Sequence, residues 1–490
     1  MAELPAQIAV ILSGIAFFLC VLYAAAYRPV IFFGFFFILF SLVWRTASTM
    51  FIDLTGPAWS SQTVKYIGPG LTTPLHVLAY FVTLTPFLIL LKPGLIEGWF
   101  DGADTRRAAP GMLTLSDLTV ASSLLLLGYL FFDLTRHGSI PLFAHIERFV
   151  YTAQYSGAAH RWLMQYGNFV SFWWGVMFAA ERLRNHRIDI RYVGLLGILF
   201  AYLFLTGNRF SAFYSYGSFF IIPLSATMVA ATGRNRSGMP FGWIGQGFRI
   251  RDVVILGAAA ALALSVAAVG IYNNLVNVRG YQGSEIQSQF VERALVQPSE
   301  LGWISYERTF IFGNWQPDRV YDFLFQMPLD PDRNTTPQYL MLETIGEPRT
   351  YEHIKGGFQF AGGFPEIFFE LFGPIYAWPF IFGAGCLAAL LTGLIVKGVI
   401  QGRYASTFLA LYVLYGFYVM YIGGMLNFVA METYWLKIVA LAAALSMERS
   451  LARFGLPLAP WALFQILPPG WLPKWSDRTT SVEPRALRPN

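Results

Sequence analysis

The sequence predicts an all-α polytopic membrane protein, on three observations. Of 490 residues, 56% are hydrophobic and only 13% charged, whereas a soluble chain carries about 25% charged residues. The apolar residues fall in long runs rather than short alternating ones, which suits spanning helices and not barrel strands. One long interval, from Tyr272 to Pro365, breaks the apolar pattern with polar residues. The cysteines, Cys20 and Cys386, both lie inside apolar runs. That excludes a disulfide framework and a thiolate metal site.

Windows of about 20 residues place about eleven spans. They fall near 8–27, 30–48, 70–91, 117–134, 163–181, 191–206, 210–231, 253–271, 374–396, 404–424 and 428–447. Residues 1–27 begin with Glu3 and no Lys or Arg, and Arg28 follows the apolar run. A signal peptide has the reverse charge order, so this reads as a first span with its N-terminus outside. Arg28, the Arg106-Arg107 pair, Arg182 to Arg191, Arg234 to Arg251, and Lys397 with Arg403 all fall on alternate loops. Arg449 and Arg453 continue that side, which by the positive-inside rule is the cytoplasm and holds the C-terminus.

The organisation that follows has four parts. Residues 1–272 carry eight spans and a short outer loop at 135–162, and residues 273–365 form a large outer loop. Residues 366–455 hold three more spans, and 456–490 form a tail lying along the inner interface and then turning disordered. Within the large loop, Arg293, Arg308 and four more arginines stand among carboxylates, His353, Trp303, Tyr306 and further aromatics. Most such charges on a loop are solvated ion pairs. Arginine forks mixed with aromatic rings nevertheless suit a ligand that is part phosphate and part sugar.

Ionisable residues also gather near the outer ends of the spans: Arg45, His76, Asp133, Arg136, Arg209, Glu366, Glu370 and Glu432. Glu366 and Glu370 are one turn apart at a helix start just after Pro365, where acids are favoured without any function. Arg45 is placed to snorkel to the interface. Lys437 lies mid-span, as a functional group or as the partner of Glu432. The second outer loop runs from Arg136-His137-Gly138 through Ile140-Pro141 to Glu147-Arg148, and later reaches His160. Its histidines, 137, 145 and 160, match no metal-ligand spacing. No phosphate-binding glycine motif occurs. An outward-facing site sees no nucleotide sugar, so a donor there is lipid-linked.

Three stretches resemble the Wzy-type O-antigen and oligosaccharide repeat-unit polymerases of bacteria. Gly138-Ser139-Ile140-Pro141-Leu142-Phe143 is similar to the opening of that family's outer loop. Thr206-Gly207-Asn208-Arg209 is similar to its Gly-x-Arg turn. Gly362-Gly363-Phe364-Pro365-Glu366, continuing to Pro374, looks like the start of the helix after its large loop. The resemblance implies a GT-C-like fold and a metal-independent glycosyltransferase of the bacterial inner membrane, without cofactor. Donor and acceptor are undecaprenyl-pyrophosphate-linked glycans, with membrane lipid and a chain-length regulator as partners and no nucleic acid. Pyrophosphate is already a good leaving group, so such an enzyme holds its charge and deprotonates a sugar hydroxyl. Arg136 and Arg209 are then candidates for the pyrophosphate, with Arg148, Arg293 and Arg308 behind them. His353, Glu343 and Glu366 are candidate bases, and Trp303 and Tyr306 candidate walls of the glycan path.

Three other classes compete. An O-antigen ligase shares this topology, and a polyprenyl-monophosphate GT-C enzyme carries paired acids in its first outer loop, where only Asp53 stands here. A transporter calls for broken helices in repeated halves, and no halves are seen. The arginine pattern makes a direct prediction in a chain whose two native cysteines are replaced. Ser284→Cys should react with an impermeant thiol reagent added outside, and Asn185→Cys should be protected. The opposite labelling pattern would invert the topology.

Overall fold

The computed structural model describes residues 3–60, 63–100, 112–136, 140–144, 148–185, 188–208, 210–234, 282–325, 336–355, 362–454 and 462–465, with a few isolated positions. Among them, seven segments are helical, long and apolar enough to cross a membrane. These are Leu4–Tyr27, Phe36–Thr55, Thr72–Leu90, Leu115–Arg136, Phe210–Ala231, Glu366–Gln401 and Tyr404–Gly423. Ile190–Leu205 is a shorter apolar helix. Ala158–Asn185 and Glu432–Arg453 are long helices of more mixed composition. Each expected span among the described residues therefore coincides with a helix. The span expected at 253–271 and the turn residue Arg209 lie outside the described residues.

Boundaries differ where local chemistry intervenes. The expected span at 30–48 is divided at Phe35 into Pro29–Gly34 and Phe36–Thr55. The expected span at 210–231 passes through a 3-10 turn, Ile222–Leu224, that contains Pro223, whose missing N–H disfavours a continuous α-helix. The span expected from 374 starts earlier, at Glu366, and runs 36 residues across a kink at Gly373. Gly373 has φ 71°, which favours glycine, and a Cβ there would lie 2.8 Å from the Trp315 ring. In the tail, Ala462–Gln465 pairs antiparallel with Met112–Thr114.

The Glu366–Gln401 helix is central, packing on Thr72–Leu90 and on Tyr404–Gly423. Helices this apolar pack through close backbone approach and dispersion. Gly385 permits that approach, since a Cβ there would fall 2.5 Å from the Thr83 carbonyl oxygen. Aromatic side chains fill the wider gaps: Phe37 stacks on Tyr214 at 5.2 Å and meets Tyr418 at 5.1 Å.

The large loop is itself helical over most of its described length. Ser284–Val291, Glu300–Tyr306, Val320–Phe325, Thr336–Ile345 and Glu347–Lys355 are helices. A small apolar core joins this loop to the bundle: Val296, Leu301, Ile304 and Met341 pack with Ile52 and Ile67. Hydrogen bonds fix the register. Trp44 Nε1 donates to Ala294 O at 2.7 Å and Ser48 Oγ to Leu295 O at 2.8 Å. A hairpin of Ala58–Ser60 with Lys65–Ile67 adds an ion pair, Lys65 to Glu307 at 2.6 Å.

Two alanine substitutions separate helix propensity from packing. Gly385→Ala should destabilise the solubilised protein by about 1–3 kcal/mol, because the neighbouring backbone has to move. Gly383→Ala, where a Cβ meets nothing within 4 Å, should be neutral or slightly stabilising. Thermal unfolding in detergent checks this, and equal midpoints would refute the close-approach argument.

Candidate functional site

At the loop end of the bundle three ionisable side chains from three helices converge. Glu366 opens its helix, Arg45 sits in Phe36–Thr55, and His76 lies one turn into Thr72–Leu90. The Arg45 guanidinium pairs with Glu366 Oε1 and donates to the Phe364 carbonyl oxygen. Its Nε donates to Pro298 O at 3.2 Å. Their side chains are 6% and 1% exposed, so Arg45 does not snorkel as the sequence suggested. A buried carboxylate compensates its charge, and two backbone carbonyls accept from it as well. Breaking such a pair from one side typically costs about 3–5 kcal/mol.

His76 Nε2 lies 3.9 Å from the same Glu366 Oε1, and its side chain is 1% exposed. Gly302, in the loop helix Glu300–Tyr306, presses on both groups. A Cβ at that position would stand 2.9 Å from Glu366 Oε1 and closer still to His76 Cε1. Among the described residues, His76 Nδ1, Glu366 Oε2 and the Tyr80 hydroxyl find no hydrogen-bond partner. Buried polar atoms without partners are uncommon and call for an explanation.

One turn further along the same helix, Glu370 receives a loop arginine. Arg308 Nε is 3.4 Å from Glu370 Oε1, and its Nη1 donates to Glu343 Oε2 at 3.0 Å. The loop also caps this turn from its backbone, with Gln316 N donating to Glu370 O at 2.8 Å. Glu366 and Glu370 are thus more than helix-start acids: each is buried against an arginine brought from elsewhere.

The other sequence candidates occupy varied places. Trp303 is buried, with Lys65 Nζ 5.3 Å above its ring, so it packs inside the loop core. Tyr306 is half-buried and stacks on Phe310 at 6.0 Å. Arg293 is half-buried in the turn Glu292–Val296, next to the docking bond from Trp44. His353 is half-buried in the last turn of Glu347–Lys355. Arg136 is exposed at the end of Leu115–Arg136, and Arg148 is half-buried in the short helix Arg148–Val150. His160 is structural: Nδ1 bonds Tyr202 Oη at 2.8 Å and Nε2 bonds Thr152 Oγ1 at 3.1 Å. Lys437 lies over the Tyr412 ring at 4.0 Å. Asp53 accepts from Thr73 N and Oγ1, each at 2.8 Å.

Of the named candidates, the structure brings Glu366, Glu343 and Arg308 close to Arg45, His76 and Glu370. Gly302 and Glu300 carried no sequence signal. Residues 330–436 match a family of unknown function, DUF6418. That segment contains Glu343, His353, Glu366 and Glu370, and leaves out Arg45 and His76. No curated protein and no solved structure matches the chain.

Glu300 holds the Gly302 helix in place, accepting from Ser60 Oγ at 2.6 Å. Burial pushes its carboxyl up to about 8, against an ordinary 4.5. The folded state therefore keeps this proton where the unfolded chain has lost it. Stability should fall as pH rises through that window, by at most about 1.4 kcal/mol per pH unit from this group, and level off above it. Glu300→Gln should flatten that slope in thermal unfolding of the solubilised protein. An unchanged slope would show that Glu300 is not its source.

Proposed function

We propose that this chain is a glycosyltransferase that polymerises lipid-linked oligosaccharide repeat units at the outer face of a bacterial inner membrane. The donor glycan leaves undecaprenyl pyrophosphate and joins the sugar end of a second lipid-linked unit. On this reading the bundle is GT-C-like, the N-terminus faces out and the C-terminus faces the cytoplasm. The observation that carries it is the meeting of Arg308 with Glu370 and of Arg45 with Glu366 on successive turns of one helix, beneath a folded loop. Arginines and acids at the mouth of a bundle suit a substrate with an anionic lipid headgroup and a neutral glycan.

In this chemistry arginine forks stabilise the charge that develops on the departing pyrophosphate. Arg308 is the described arginine best placed for it, being 12% exposed and reaching from the loop to the spans. Arg136 and Arg209 keep their assignment to the lipid headgroup. A base from the same mouth takes the proton of the acceptor hydroxyl.

Deletion of the gene, followed by analysis of the surface glycan, tests the reading. Single repeat units attached to their carrier are the expected result. Unattached long polymer would indicate a ligase instead, and an unchanged glycan would remove both readings.

A further inference from the structure

We propose that His76 is the general base of this transfer. Its Nδ1 takes the proton of the acceptor hydroxyl, and Glu366, held by Arg45, orients the ring from its Nε2 side. This rests on the glycosyltransferase reading above.

The two histidines described inside the helical bundle differ in one respect. His160 has both ring nitrogens bonded, to Tyr202 and Thr152, as a structural histidine should. His76 is equally buried, at 1% exposure, yet its Nδ1 bonds no described residue. Its other nitrogen faces a carboxylate at 3.9 Å. A buried nitrogen without a described partner on one side and a carboxylate on the other is how an imidazole base is set up. Contacts of this kind tighten when substrate is bound. Glu366 already gives Oε1 to Arg45, which leaves it the orienting role.

Position supports the same assignment. His76 stands at the loop end of its helix, and Arg308 reaches the neighbouring turn of the Glu366 helix at Glu370. Proton removal and leaving-group charge therefore fall at one mouth. The Glu300–Tyr306 helix lies over the imidazole at Gly302, with no side chain between them.

The step balances as follows. The acceptor oxygen forms a bond to the anomeric carbon of the donor as its proton passes to His76 Nδ1. The bond from that carbon to the pyrophosphate oxygen breaks, and its electron pair leaves with the lipid diphosphate. The imidazolium returns its proton to water or to that diphosphate.

Lipid-linked repeat units extracted from the deletion strain are the probe, supplied to membrane vesicles carrying the parent, His76→Asn or Glu366→Gln. With the parental amount of folded protein, His76→Asn should lower turnover about 10²–10⁴-fold, with little change in half-saturating substrate. Glu366→Gln should act in the same direction, again on turnover rather than half-saturation, as a positioning residue would. Parental turnover in His76→Asn overturns the proposal, because an amide cannot take the proton. If His76→Asn does not accumulate, His76→Gln replaces it and is read in the same way. Parental vesicles that lengthen no glycan sink the glycosyltransferase reading, whereas active parental vesicles with an active His76→Asn sink only the role of His76.

Discussion

A buried ion pair between Arg45 and Glu366 sets the terms for the loop end of this protein. Neither charge is tolerable alone at 6% and 1% exposure, so each helix that carries one requires the other. The pair fixes the start of the Glu366–Gln401 helix against Phe36–Thr55. It also ties in the loop, because Arg45 donates to Pro298 O and Ser299 Oγ donates back to Arg45 O at 3.0 Å. One arginine therefore joins two spans and a loop segment far away in sequence.

The loop is in consequence an integral part of the bundle and not a domain hung from it. Its apolar residues complete a core with Ile52 and Ile67, and its helix Glu300–Tyr306 touches the charged cluster at a glycine. The Ser60–Glu300 bond and the Lys65–Glu307 pair, both 2.6 Å long, secure the same helix from the hairpin side. Anchors of these two kinds respond differently to solvent. The Lys65–Glu307 pair is partly exposed and is screened by salt, whereas the Arg45 pair is not.

Much of the site was visible in the sequence as single residues at one depth: Arg45, His76, Glu366 and Glu370 all stood out as ionisable groups near the ends of apolar runs. Their partners were not visible. Spacing along one helix joined Glu366 to Glu370, but nothing local joins position 45 to position 366, or 308 to 370. Trp303 read as a wall of a glycan path and is instead packed in the loop core. An amphipathic aromatic is equally at home in either place, and only its neighbours decide.

The sequence by itself determined that the chain is helical and apolar enough to cross a membrane repeatedly. Long apolar runs leave the backbone no other way to satisfy its hydrogen bonds in lipid. It also determined where one long polar segment interrupts the spans. Tertiary structure alone decided which charges compensate one another, since a buried charge is viable only beside a partner that another helix or a distant loop delivers. It decided the place of Gly302 too. A glycine's fitness there depends on His76 and Glu366 arriving beneath it, and hydropathy carries no record of that approach.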